Sequence, residues 1–196
     1  MAFYQTLTDD FATLNGATWT TIQGSPSVSG GILTVPSGAT IDTDGNFSLD
    51  GDKGIIVIIV GKHDGGVYDL LFRLRDEDND EIRWGETSYS NRGFYSYAGG
   101  KYSMSAGYTG AMTTGYKVYK LTLLGTSYLV ERGDTLATLN ESISGTLNSS
   151  IAGHDFFIEI LGNTGSYATT VEAKYVYAGY DRDFTPSPIP HILQMM

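Results

Sequence analysis

Hydrophobic and polar positions alternate with a period of two along most of this chain. Leu70, Phe72 and Leu74 interleave with Asp69, Arg73 and Arg75. Phe156, Ile158 and Ile160 flank Glu159, and Val171, Ala173, Tyr175 and Tyr177 alternate with Glu172 and Lys174. Residues two apart on an extended backbone share a face, so these segments predict half-buried antiparallel strands. Ile55 to Val60 is apolar at every position, which predicts a central strand covered on both faces. No segment carries a 3.6-residue period, so helix is expected to be nearly absent.

Glycine-containing turns separate the strands: Gly30-Gly31, Asp50-Gly51-Asp52, Gly65-Gly66, Gly99-Gly100 and Arg132-Gly133-Asp134. Roughly a dozen short strands in a single domain predict an all-β fold of two packed antiparallel sheets, a sandwich or jelly roll. Trp19 and Trp84 fall at inward positions and are expected in the core. The domain is read as residues 1–184. Residues 185–196 form a separate tail, because Pro186, Pro188 and Pro190 cannot join a central strand. Ile189, Ile192, Leu193 and Met195 make that tail apolar, so it is expected to anchor on the domain or on a neighbouring subunit.

Charge and composition narrow the function. The 196 residues carry a net charge of −10, which disfavours nucleic acid. The chain has no cysteine, so disulfides and thiolate metal sites are excluded. The opening Met-Ala-Phe-Tyr-Gln-Thr has no basic or apolar region, so no signal peptide and synthesis in a cytoplasm are expected. Ile55 to Val60 is too short to insert in a membrane. Tyr89 to Tyr119 stands apart: it holds seven of the fourteen tyrosines, six glycines and no acidic residue. Tyrosine among Gly, Ser and Thr is the composition of a recognition surface. Phe94, Tyr95, Tyr97, Tyr102, Tyr108 and Tyr116 are the candidate contacts to a ligand or partner; alternation within 94–97 lets only half of that patch face solvent.

Several patches resemble the concanavalin A-like lectin/glucanase superfamily, including laminin-G-like jelly rolls. They are Asp9-Asp10-Phe11 with Trp19 and the segment Ser29 to Val35, the hairpins Tyr68 to Trp84 and Tyr119 to Asp134, and the ending Tyr180 to Pro186. Phe184 replaces the usual Leu in that ending. The resemblance implies a concanavalin A-like jelly roll. Small domains of this kind often look like accessory proteins of tailed bacteriophages, as capsid decorations, tail components or host-adsorption modules. It therefore implies a virion location, with other virion proteins, a second copy in an oligomer, or a glycan as partner.

Glucanases of that superfamily carry paired acids two residues apart on one strand. The nearest match, Glu77-Asp78-Asn79-Asp80-Glu81, has Asn79 at the middle position and sits where a hairpin must turn. His63, His154 and His191 are isolated in sequence. The expectation is accordingly a structural or binding module and not an enzyme, with a stand-alone carbohydrate-binding lectin as the alternative and a glycan-cleaving enzyme behind it. No cofactor is required. Asp42, Asp44, Asn46, Asp50 and Asp52 place five oxygen donors within eleven residues and are the calcium candidates. Asp9 and Asp10 are weaker ones.

Overall fold

A computed structural model describes residues 2–3, 6–48, 54–65, 71–78, 80–86, 93–98, 101–104, 113–148, 154–162 and 168–180. The strands run β1 (Ala2–Phe3), β2 (Thr6–Asp9), β3 (Trp19–Gln23), β4 (Ser27–Ser29), β5 (Ile32–Val35), β6 (Thr40–Thr43), β7 (Gly45–Ser48), β8 (Ile55–His63) and β9 (Phe72–Arg75). They continue as β10 (Glu81–Trp84), β11 (Phe94–Ala98), β12 (Lys101–Met104), β13 (Lys117–Leu124), β14 (Ser127–Gly133), β15 (Glu141–Thr146), β16 (Asp155–Leu161) and β17 (Val171–Tyr180). Among the described residues the one helical element is a 3-10 turn at Leu136–Thr138. No helix among them is long and apolar enough to cross a membrane.

The chain is an all-β antiparallel sandwich of jelly-roll type. Among the described residues one sheet has nine strands, in the order β1-β7-β16-β9-β10-β11-β12, with β6 also on β16 and β3 outside β6. The other has eight, in the order β15-β14-β13-β8-β17-β5-β4, with β2 also on β17. Among the described residues all strand pairings are antiparallel except β1 with β7. The apolar run of β8 sits as predicted between β13 and β17. Its residues Ile55, Val57 and Ile59 face the sandwich core. Ile56, Ile58 and Val60 pack on the outer side with Val118, under Leu136, Leu139, Tyr116, Tyr175 and Tyr177.

Aromatic rings tie the two layers together. Phe94 of β11 stacks on Tyr128 of β14 at 3.7 Å between centroids and an angle of 6°. Phe72 of β9 meets Tyr119 of β13 at 5.3 Å and Trp84 of β10 at 5.8 Å. Trp19 and Trp84 are core residues, as expected. Asp9 organises the N-terminal corner: its carboxylate accepts the Phe11 amide and the Trp19 indole N–H, both at 2.7 Å. That grip holds Phe11 at φ 54°, a left-handed conformation uncommon without glycine. Each Asp9 oxygen thus accepts one hydrogen bond that shapes this corner. Asp10 accepts the Ala12 amide at 3.2 Å.

One alternation departs from the prediction. Val171 and Ala173 point inward, but Tyr175 and Tyr177 do not, because the β17 register against β8 shifts between Ala173 and Tyr175. A bulge takes up one residue and reverses which side chains face inward. Val176 and Ala178 enter the core instead, and Tyr175 and Tyr177 cover the outer side of β8.

Candidate functional site

The outer face of the nine-stranded sheet carries the polar residues that its inner face excludes. In β9 the inward residues are Phe72 and Leu74, so Arg73 and Arg75 point outward. The same alternation turns Glu81 and Arg83 of β10 outward, with Ile82 and Trp84 in the core. In β11, Tyr95 and Tyr97 face out while Phe94 and Ser96 are buried.

Strand register aligns these residues. Thr20 pairs with Asp42, Asp42 with Glu159, Glu159 with Arg73, Arg73 with Arg83, and Arg83 with Tyr95. Six strands thereby contribute one residue each to a single cross-strand row. Phe157, Arg75, Glu81 and Tyr97 form a second row beside it. At about 4.8 Å between strands, the first row spans about 24 Å.

Glu159 anchors the face. Its side chain is 1% exposed, and both of its oxygens are taken: Arg75 Nε donates to Oε1 at 2.6 Å and Arg73 donates to Oε2. Arg73 also reaches Glu81 Oε2 at 3.2 Å, and Arg83 reaches the same oxygen at 2.9 Å. The Arg83 guanidinium lies 5.8 Å from the centre of the Tyr95 ring. Burial pushes the Glu81 carboxyl up, against the pull of Arg73, and pushes the Arg83 guanidinium down.

Asp42 has the most altered acidity on this face. Burial, and then the negative charge of Glu159, push its carboxyl from 3.8 up to about 6. Its Oδ1 has no hydrogen-bond partner among the described residues. Thr43, on the opposite side of the strand, closes the backbone ladder where β16 passes from β7 to β6. Its hydroxyl donates to Gly45 O at 2.8 Å and accepts the Ile158 amide at 3.1 Å.

The residues expected to make contacts are separated by the fold. Tyr95 and Tyr97 lie half-buried on the outer face. Phe94 is a correction: it is fully buried against Tyr128, because it occupies the inward phase of β11. Tyr116 lies on the outer side of the other sheet. There its hydroxyl donates to Glu172 at 2.5 Å, and its ring lies 3.8 Å from Lys174 Nζ. It borders a polar cavity of about 410 Å³ lined by Lys62, His63, Asp64, Thr114, Thr170 and Glu172. The backbone of Tyr102 pairs with Tyr97; its side chain, and all of Tyr108, lie outside the described residues. So do Ile189, Ile192, Leu193 and Met195.

The calcium candidates are also distributed. Asp42 belongs to the outer row, Asp44 accepts the Thr20 hydroxyl at 3.2 Å, and Asn46 is buried in β7. Asp50 and Asp52 fall outside the described residues. Asp76 and Asp80 bracket the expected hairpin turn, with Asp76 N–H donating to Asp80 O at 3.0 Å, whereas Glu81 already belongs to strand β10.

Sequence reasoning missed two clusters that long-range pairing creates. At one end of the sandwich the buried Glu86 accepts from Tyr119 Oη at 3.0 Å, from Arg132 at 2.5 Å and from the Thr113 amide at 3.0 Å, and it meets His63 Nε2 at 3.1 Å. Arg132 in turn chelates Glu141 at 2.6 Å through both oxygens. Burial pushes the Glu86 carboxyl up, yet the bonds from His63 and Thr113 and the charge of Arg132 hold it below its ordinary value. At the β9–β10 turn, His154 joins Asp76 and Asp80. Partners separated by tens of residues leave no local signal; only the acids themselves were visible.

The sequence matches no known protein family and no curated protein. The fold is nevertheless shared with solved structures. The CBM2 module of the evolved Dit of Lactobacillus casei BL23 phage J-1 is 10% identical, with a TM-score of 0.62 over 92% of this chain and 99% of that one. A beta-1,3-glucanase from Mycobacterium marinum is 13% identical, with a TM-score of 0.58 over 88% and 97%. A pseudo beta-1,3-glucanase of Mycobacterium tuberculosis is 12% identical, with a TM-score of 0.60 over 88% and 97%. These likenesses agree with the two-sheet jelly-roll sandwich. They also correct the expectation that the chain is not an enzyme. The fold is shared with a named glucanase, so it gives no ground for excluding glycan-cleaving chemistry.

Proposed function

We propose that this chain recognises an extended glycan on the outer face of its nine-stranded sheet. The observation that carries this is the cross-strand row from Thr20 to Tyr95, flanked by Arg75, Glu81 and Tyr97. Sugar rings need a flat apolar surface for their C–H faces and fixed donors and acceptors for their hydroxyls. Tyr95 and Tyr97 supply the first. The guanidinium groups of Arg73, Arg75 and Arg83, braced by carboxylates, supply the donors, and the carboxyls of Glu81 and Asp42 supply acceptors, already ordered before a ligand arrives. A row of about 24 Å suits several sugar units end to end better than a single ring. The likeness to a phage Dit module supports a virion setting, with other virion proteins or a second copy of this chain as further partners.

The test is binding of β-glucans and of a wider glycan array by calorimetry, comparing the wild type with Tyr95→Ala and Tyr97→Ala. Both side chains lie on the outer face and outside the core, so each variant should fold normally and lose roughly tenfold or more in affinity. Unchanged affinity in both variants would remove this face as the binding surface.

One observation favours cleavage as a second reading. Asp42 keeps its proton up to about pH 6 directly across from Glu159. A carboxyl kept protonated by its surroundings, with a second carboxyl beside it, is an arrangement that glycoside hydrolysis uses. Against this stands the engagement of both Glu159 oxygens by Arg73 and Arg75. Release of reducing ends from a β-1,3-glucan, lost in Asp42→Asn, would establish it; no release from any bound glycan would dismiss it.

A further inference from the structure

We propose a binding site for a divalent transition cation, of the zinc class, at Asp76, Asp80 and His154. This site is independent of the glycan face. The three side chains offer one ligand atom each, all within 4.8 Å of one another. His154 Nδ1 lies 2.5 Å from Asp76 Oδ2 and 3.7 Å from Asp80 Oδ2. Both aspartates are buried, with Asp76 4% and Asp80 8% exposed.

The fold builds the arrangement from remote parts. The β9–β10 turn sets the two carboxyls side by side: Asp80 N–H donates to Asp76 Oδ1 at 2.7 Å, which leaves Asp76 Oδ2 directed at the imidazole. Pairing of β16 with β9 brings His154 to the same end of the sheet. His154 is further oriented by stacking on Phe156, with centroids 6.0 Å apart and an angle of 27°.

Charge and chemistry decide the ligand class. Two acids in a largely buried place need positive charge. Among the described residues no lysine or arginine pairs with Asp76; its side-chain contacts are His154 and the Asp80 amide. A neutral imidazole with two carboxylates is a nitrogen–oxygen donor set that suits zinc. Calcium needs six to eight oxygens and has little use for a nitrogen donor. Donors at about 2.0–2.2 Å from one tetrahedral ion lie about 3.3 Å apart. The ion would therefore draw Asp80 inward and part Asp76 from His154. His154 remains 29% exposed, so solvent can complete the coordination.

The experiment is a thermal melt at pH 7.5 of the full chain with zinc chloride, calcium chloride or EDTA, paired with NMR of the histidine ring nitrogens. At a hundredfold excess over Kd, zinc should raise Tm by about 5 °C or more and shift the His154 Nδ1 resonance, and calcium should do neither. His154→Ala and, as a second variant, Asp80→Asn should abolish the zinc shift. No rise with zinc, a rise that persists in both variants, or a Nδ1 resonance unmoved by zinc would overturn the site. An equal rise with calcium would overturn the ligand class.

Discussion

Replacing Glu159 with Gln tests the electrostatic design of the outer face. Glu159 is fully buried beneath two arginines that retain 18% and 29% exposure. Removing one member of a buried ion pair typically costs about 3–5 kcal/mol, because the other is left without compensation. Here the arginines reach water, Arg73 keeps Glu81, and the amide still accepts a hydrogen bond. A loss of about 2–3 kcal/mol is therefore expected. In a domain of this size that corresponds to a fall in Tm of about 4–12 °C. Urea unfolding should show a lower midpoint with an unchanged slope, since the surface buried does not alter.

The same substitution has a second readout. Glu159 is the second cause of the raised Asp42 pKa, after burial. In Glu159→Gln the Asp42 carboxyl, followed by NMR, should titrate below about 6 but still above 3.8. A stability loss under about 0.5 kcal/mol together with an unmoved Asp42 titration would refute the reasoning, by showing that Glu159 carries no charge that the two arginines compensate.

Asp42 itself gives a pH test. Its folded value, about 6, lies above the ordinary 3.8, so the folded state holds the proton more tightly. The stabilisation from that proton is full below pH 3.8 and is lost as pH rises through about 6. Asp42→Asn should therefore stabilise the protein at pH 8 relative to wild type and matter little at pH 4, measured by paired urea melts; equal effects at both would contradict the assignment. Glu86 has the opposite sign: its folded value is depressed, so its contribution is present above 4.5 and lost as pH falls through the folded value. Glu86→Gln should cost about 3 kcal/mol at pH 7 and less below pH 4.5, by the same melts. Phe94→Ala, which empties the ring stacked on Tyr128, should cost about 3–5 kcal/mol, and a cost under about 1 kcal/mol would place Phe94 outside the core.

Period-two alternation made the sandwich legible. It placed Phe72, Leu74, Ile158, Ile160, Trp19 and Trp84 inward and identified β8 as central. It failed at β17, where a bulge with no sequence signature reversed Tyr175 and Tyr177. The tyrosine-rich segment was recognisable by composition, yet composition does not assign faces. Tyr95 and Tyr97 share one surface, Phe94 fills the core, and Tyr116 sits on the other sheet. The site's charged residues were visible only as outward positions of separate strands. Their meeting depends on register between segments as distant as Asp42 and Glu159, which local pattern does not encode. Glu159 shows the limit most plainly: alternation marked it as solvent-facing, and two arginines from β9 bury it.

The cross-strand row has a consequence for how this surface can change and how it forms. Neighbouring positions come from chain segments near residues 20, 42, 159, 73, 83 and 95: β9, β10 and β11 supply three of the six in one continuous stretch, and the other three arrive from β3, β6 and β16, remote in sequence. The surface comes into being only with the closed sheet, and a ligand bridging several positions would act as a clamp on the global fold rather than on a loop. Each strand also supplies its letter separately. Apart from the buried Glu159, whose loss weakens the fold, a substitution at one outward position rewrites one part of the binding pattern while the inward residues stay in place. Such a surface can drift from one ligand to another, strand by strand, under a constant scaffold.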